Sequence, residues 1–286
     1  MRSHLTAALG VVLFSCAFAA PIAQAYNDTN ADGSINVGND KIFTVFARGG
    51  LNVYDNNITG PSIVQGNVGI GGHGNFSMSD GTIKGDLYMN DYGTFSISGP
   101  AKITGTKRGL QFGNGSQQST LDSADASVND TAGLSYAAAH ESRTYNYKFN
   151  GTQATTSKYL SDVNTGQSMT VSITSGTKVV LNLQNFVMTS GTFTLQGTAM
   201  TTYIINVTNN FSLNNSKIVL SGGLLASHVL FNVIGTGSQV SLNQGTSMQG
   251  IMLAYNRKLD LSGGKIYGRA IANQVVITSG GQVVSQ

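Results

Sequence analysis

Val240-Ser-Leu242 leads through Gly245 to Met248-Gln-Gly250-Ile-Met-Leu-Ala254, and Leu259-Asp-Leu261 leads through Gly263 to Ile266-Tyr-Gly268-Arg-Ala-Ile-Ala272. These are two near-copies of one pattern, and Val275-Val-Ile277 begins a third. Each copy holds a short alternating strand, a glycine corner, a second short strand and a run of small residues. Val240 and Leu259 lie 19 residues apart. A fixed period of this length is the signature of a stacked repeat, whose units bury their apolar faces only against one another.

The period returns in the first half of the chain. Gly74-Asn-Phe76-Ser-Met78 and Gly93-Thr-Phe95-Ser-Ile97 are again offset by 19 residues, and each runs into a glycine, Gly81 or Gly99. The same apolar–x–apolar core recurs at Val171-Ser-Ile173, Phe193-Thr-Leu195 and Phe211-Ser-Leu213. Such a period accommodates three short strands and three corners. It predicts a mainly β chain wound as a right-handed parallel β-helix, with apolar members inward and Ser or Thr outward. A sandwich also has many short strands, but it does not account for one offset in both halves. Lys41 to Leu51 reads as a strand in which Phe43, Val45 and Ala47 alternate.

One segment breaks the pattern. Ser119 to Arg143 is rich in Ala and Asp and poor in β-branched residues. Ser119 or Thr120 suits its cap, and Asp122 and Asp125 suit the positive end of a helix. Leu121, Ala124, Val128, Ala132 and Tyr136 fall at helical spacing. The spacing predicts one long α-helix over about 119–143, packed alongside the coils and broken near Gly133. Thr144 to Gly151 then reads as extended chain through Tyr145, Tyr147 and Phe149.

Three domain segments follow. Residues 1–25 read as a secretory signal peptide: Arg2 and His4 precede an apolar run, and Ala23-Gln-Ala25 is a small-x-small cleavage site. A lipoprotein signal ending at Cys16 is the competing reading. Residues 26–40 are a polar lead-in, and 41–286 form a single β-helix domain. Of 286 residues, cleavage leaves 261 and no cysteine, because Cys16 lies in the leader. No later stretch has the length and hydropathy of a transmembrane helix. Gln282-Val-Val-Ser-Gln286 carries no sorting signal, so the expected location is secreted and extracellular.

Of the 16 lysines and arginines only Arg2 lies in the leader, which leaves 15 basic side chains against 13 acidic ones. Charged residues make up 10% of the chain, too few and too mixed for the basic stripe that nucleic-acid binding needs. The outward positions must instead carry Thr, Ser, Asn, Gln and Gly. Such a neutral surface suits polysaccharide, matrix protein, an ice surface or self-association.

Asp28-Thr-Asn30-Ala-Asp32-Gly33-Ser-Ile35 matches the first eight positions of a calcium loop, with oxygen side chains at Asp28, Asn30 and Asp32. The twelfth position, where a bidentate carboxylate belongs, is Asn39. Calcium at this loop and a flexible segment of turn residues are both open readings; no other cofactor is suggested. No catalytic constellation stands out. The histidines, His4, His73, His140 and His228, have no metal-ligand spacing, and no nucleophile elbow is present. From Thr170 onward the only acid is Asp260, so the carboxylate pair of a polysaccharide-active enzyme is missing. Tyr255, Arg257, Lys258 and Asp260 form the one charged cluster near the C-terminal repeats, and they are the candidate ligand-binding residues. Tyr203 and Tyr267 fit either stacking platforms for sugars or packing between coils.

Two resemblances add to this. Coils, a helix and then more coils is similar to the ice-binding-like β-helix fold of cold-adapted microbes, and Gly250-Ile-Met-Leu-Ala254 and Gly268-Arg-Ala-Ile-Ala272 resemble its C-terminal coils. The chain also resembles the choice-of-anchor A family of secreted and surface bacterial adhesins. Phe43-Thr-Val-Phe46-Ala-Arg-Gly-Gly-Leu51, Gln65-Gly-Asn-Val-Gly69-Ile-Gly-Gly72 and Val229-Leu-Phe-Asn-Val233 carry that likeness, with Gly250 to Asn256. The resemblances imply a non-catalytic extracellular binding protein: an adhesin or matrix component, or alternatively an ice-binding protein. Thr192-Phe-Thr194 and Thr201-Thr202 stand isolated in the sequence, with no Thr-x-Thr ladder at the repeat period.

Overall fold

The computed structural model describes residues 28–38, 42–49, 54–89, 93–109, 112, 132–151 and 160–286. The chain is mainly β, and its strands pair in three parallel rows. Row A contains Lys178–Leu183, Thr202–Val207 and Val229–Val233, then the middles of the long strands Ser247–Ser262 and Lys265–Thr278. It continues with Val45–Ala47, Val68–Ile70, Leu87–Met89 and Lys107–Arg108. Row B runs from Val163–Thr165 through Phe186–Met188, Phe211–Leu213 and Val240–Leu242. The ends of the two long strands follow, and then Tyr54–Thr59, Gly74–Ser79 and Phe95–Ser98. Row C runs from Met169–Ile173 through Gly191–Gln196 and Ser216–Ser221 to the starts of the long strands. Gln282–Val284, Ile63–Gln65, Thr82–Ile83 and Lys102–Ile103 complete it. Tyr147–Gly151 caps row C as an antiparallel strand against Met169–Ile173.

The order of stacking differs from the order of the chain. Val45 has Ala270 on one side and Val68 on the other. Asn57 likewise lies between Val276 and Ser77, and Ile63 between Gln282 and Thr82. The first three-strand rung is therefore inserted between the last rung and the second. The expected 19-residue offset is present at Phe76–Phe95 and Val240–Leu259. In between, the rungs lengthen: Val180 pairs with Ile204 and Ile204 with Leu230. The added residues go into corners, including the 3-10 turn Ala226–His228.

Two apolar clusters follow from the rows. The inner one is lined by alternate residues of all three rows and includes Phe186, Phe211 and Phe231. The Phe186 and Phe211 rings stack across rungs at 5.0 Å. The outer cluster lies on the far side of row A, whose central strands are buried on both faces. There Val180, Ile204, Leu230, Ile251 and Ile271 meet Phe46, Leu134, Ala138, Ile35 and Val37. Burying each such side chain contributes about 1.5–3 kcal/mol, so covering row A is a large term. The corner from row C into row A is set by Gly250 (φ +131°) and Gly268 (φ +145°), which stack on each other. A Cβ on Gly268 would overlap the Gly250 carbonyl oxygen.

The helix covers residues 132–140 and runs through Gly133, where a break was expected. Its buried face also differs from the expected stripe. Leu134, Ser135 and Ala138 face row A, whereas Tyr136 is 54% exposed and stacks on His140. Hydrogen bonds decide this. Ser135 Oγ donates to Asn232 Oδ1 (2.9 Å), and Asn232 Nδ2 donates to the Ser135 carbonyl (3.0 Å). Asn206 Nδ2 donates to the Ala138 carbonyl (2.7 Å). Asn182, Asn206 and Asn232 are register partners on successive rungs and bond to one another at 2.9 Å, which makes a ladder under the helix. Leu121, Ala124 and Val128 lie outside the described residues. The lead-in is less polar in role than in composition, since Ile35 and Val37 anchor it in the outer cluster.

Buried polar groups are costly when a partner is lost, because the desolvated atom that remains has no water to turn to. Asn206→Ala removes two donated bonds and leaves the Asn232 amide without one acceptor. The expected loss is about 3 kcal/mol of folding free energy, read from urea denaturation.

Candidate functional site

The outward side chains of row B form columns, because the strands are parallel and in register. Ser262 pairs with Thr278, and Thr59 with Ser79 and then Ser98; the pair Ile58–Ile277 puts Thr59 and Thr278 each one residue further along adjacent strands, so the five make a first column. A second column runs from Ser241 through Asp260, Val276, Asn57 and Ser77 to Ser96. Neighbouring strands lie about 4.8 Å apart, so each column is a regular line of small side chains. All are partly or fully exposed. The five hydroxyls of the first column have no side-chain hydrogen bond among the described residues, and are open to a ligand or to water. The columns meet at the junction of last and first rungs, where Asn57 pairs with Val276 and Ile58 with Ile277; Thr59 and Thr278 are the next residues of those two adjacent strands, although far apart in sequence. The Ser/Thr alternation was visible in the sequence, but this adjacency was not.

The four residues expected to bind ligand do not form one exposed face. Lys258 and Asp260 do lie outward on row B, joined by an ion pair of 3.1 Å. Tyr255 sits against the outer cluster, with the Arg48 guanidinium 4.0 Å from its ring centroid. Arg48 also donates to Asn256 Oδ1 (3.2 Å), so it ties the first rung to this corner. Arg257 requires a correction: it is buried, at 3% exposure. Its guanidinium donates to the carbonyls of Thr208 (2.8 Å), Ile234 (2.5 Å), Gly235 (3.2 Å) and Asn209. It staples two successive corners between rows A and B. Burial pushes its pKa below the ordinary arginine value.

Tyr203 is also internal and donates to the Gln196 carbonyl (2.8 Å), and burial raises its phenol pKa. Tyr267 is partly exposed on row C. Thr192 and Thr194, isolated in sequence, gain a neighbour there, because Thr170 is the register partner of Thr194.

The Asp28–Asp32 loop packs against row A. The Lys178 ammonium holds Asp28 at 3.1 and 3.4 Å and Glu141 at 2.5 Å. Asp32 accepts from the Ser34 amide and hydroxyl, and Asn30 donates to Ser34 Oγ. Each of the three proposed calcium ligands thus has a protein partner, and a cation at Asp28 would compete with Lys178. Among the described residues no three His, Cys, Asp or Glu side chains gather in the manner of a metal site. No described helix is long and apolar enough to cross a membrane.

This geometry can be set beside known proteins. Residues 36–284 match the family described as "Putative Ice-binding-like adhesive domain". The chain belongs to that family. The match does not extend to the choice-of-anchor A family. Compared by sequence with characterised proteins, the chain has no match. Among solved structures, the chain is similar to an ice-binding protein from an Arctic yeast. In its glycosylated form the identity is 14%, the TM-score 0.56, and the overlap 87% of this chain and 93% of that one. A second structure of the yeast protein, described for its antifreeze activity, gives 15% identity, a TM-score of 0.56 and coverage of 90% and 96%. At such identity the likeness concerns the fold.

Three outcomes test these placements. Arg257→Met leaves several buried carbonyls unpaired and should lower stability by about 3 kcal/mol in urea titrations. Lys258→Gln with Asp260→Asn should change it by no more than about 0.5 kcal/mol. Burial opposes the charge on Lys178, but its bonds to Glu141 and Asp28 outweigh that and raise its pKa. Its stabilising effect is therefore complete below the ordinary lysine pKa and is lost as pH rises through the raised one. Thermal melting between pH 9 and about 12 should show that alkaline loss in the parent chain and a smaller one in Lys178→Met.

Proposed function

We propose that this chain is a secreted, non-catalytic adhesive protein that binds extracellular polysaccharide or matrix protein through the exposed face of row B. In this reading the leader at 1–25 directs export, and the three rows close as a right-handed parallel β-helix. The observation that carries the proposal is the pair of nearly uncharged columns that meet at the junction, where Asn57 pairs with Val276 and Ile58 with Ile277. An ordered line of hydroxyls presents hydrogen-bonding groups at a fixed spacing and loses little side-chain entropy on binding, since Ser and Thr are short. Membership of an ice-binding-like adhesive family agrees with it. Asp260 is tied to Lys258 rather than to a second carboxylate, unlike the acid pair of a glycosidase. The loop at Asp28 is read here as a docking hairpin held by Lys178, with calcium not required.

A second reading rests on the same columns. Their regular spacing and the fold shared with an antifreeze protein favour an ice surface as the ligand. Thermal hysteresis and ice shaping, measured beside binding to neutral glycans and collagen, separate the two. The adhesive reading expects glycan or collagen binding that drops at least about tenfold (1.4 kcal/mol) in Thr59→Tyr with Ser79→Tyr. Ice shaping lost in the same variant, without glycan or collagen binding, would replace it. Glycan cleavage abolished by Asp260→Asn would contradict both.

A further inference from the structure

The charged residues of this chain are sorted by face. Outside row C, each described cation is engaged within the protein. Arg108 pairs with Asp86, Lys178 with Asp28 and Glu141, and Lys258 with Asp260. Arg143 donates to the Asn182 carbonyl, Arg257 to corner carbonyls and Arg269 to the Phe43 carbonyl. Arg48 lies on Tyr255, and Lys107 lies near the rings of Phe95 and Phe112. Among the described residues five lysines remain, Lys84, Lys102, Lys148, Lys217 and Lys265, and all five are on row C or at its strand ends.

Register places them along the whole length of that row. Lys148 is on the antiparallel cap strand, opposite Ser172. Lys217 pairs through Ser247 to Lys265, two strands on. Lys102 pairs with Thr82, the outward residue before Ile83 and Lys84. With strands about 4.8 Å apart, the line spans about 40 Å. Outward positions between the lysines are uncharged, among them Thr170, Thr194, Gln249 and Tyr267. Among the described residues, Asp80 borders the row at the corner before Thr82, and Asp86, at the corner after Lys84, is paired with Arg108. On row B, by contrast, Lys258 is closed in a pair with Asp260.

We propose that row C is a second binding surface, which docks a linear anionic polysaccharide along the strand stack. Lysines left without acids on a flat face attract a polyanion at long range. Their wide spacing matches a chain of modest charge density, and the intervening hydroxyls, amides and Tyr267 suit sugar hydroxyls and sugar faces. A bilayer would call for a contiguous apolar band beside the lysines, and duplex DNA for a denser basic stripe. With row B facing a neutral target, the two rows would let one molecule bridge an acidic matrix and a second surface.

Polygalacturonate is the probe. Binding to the chain from Tyr26 onward is measured by calorimetry at low and at raised salt. We expect binding at low salt that weakens at least about tenfold on raising ionic strength, as screening requires. The five-fold variant Lys84→Gln, Lys102→Gln, Lys148→Gln, Lys217→Gln and Lys265→Gln should lose at least another tenfold while its melting curve is retained. The smaller change Lys217→Glu with Lys265→Glu gives the same direction if the larger variant fails to fold. Thr59→Tyr with Ser79→Tyr should leave polygalacturonate binding intact, which separates this surface from row B. No binding, binding indifferent to the lysine variants, or tighter binding to phosphatidylserine vesicles or duplex DNA would overturn the proposal.

Discussion

The parallel pairing of the first rung with the last holds the rest of the structure in place. Val45–Ala47, Tyr54–Thr59 and Ile63–Gln65 each lie between a strand of the C-terminal rungs and a strand of the second rung. Three rows of backbone hydrogen bonds meet at this junction. Asn56 adds a side-chain acceptor for the Val275 amide (2.8 Å). Either part of the chain alone would present three unpaired strand edges there, so each depends on the other to satisfy its backbone. Contacts between residues so distant in sequence are slow to form, and the junction is the contact of longest range in the fold.

Covering row A is the second constraint. A row buried on both faces reads as near-continuous apolar sequence, as Tyr203-Ile-Ile205 and Val229-Leu-Phe231 do. The helical residues 132–140, the Ile35 and Val37 anchors and the Phe43–Phe46 stack share the task of covering it. Asn182, Asn206 and Asn232 then fix which helix face turns inward. With row A occupied by the protein itself, rows B and C are the long faces left for partners, one nearly neutral and one basic.

Several of these features were legible in the sequence. The apolar–x–apolar code located strands, and the 19-residue offset located register partners such as Val240 and Leu259. The stacking order was not legible, because that code is the same on every rung and does not say which rung meets which. The middle rungs escaped the period because their corners hold more residues, as between Val207 and Phe211 or Leu220 and Val229. The asparagine ladder looked like surface polarity, since a buried amide and an exposed one are spelled alike. For the same reason Arg257 read as part of a charged patch, although carbonyls of two corners enclose it. Of the binding face, Asp260 and the outward serines were readable singly, but the columns that join them depend on the junction.

That junction is also where the account is most exposed to test. Cys16 is the single cysteine of the sequence, so the chain from Tyr26 onward is free of cysteine and accepts labels at chosen sites. Nitroxides attached through Thr59→Cys and Thr278→Cys report the separation of two outward positions on adjacent strands of row B. The account predicts strong dipolar broadening, with the labels within about 20 Å of each other, since the backbones are one strand spacing apart. Rungs stacked in the order of the chain would place the same sites about 40 Å apart, and a separation of that size would contradict it.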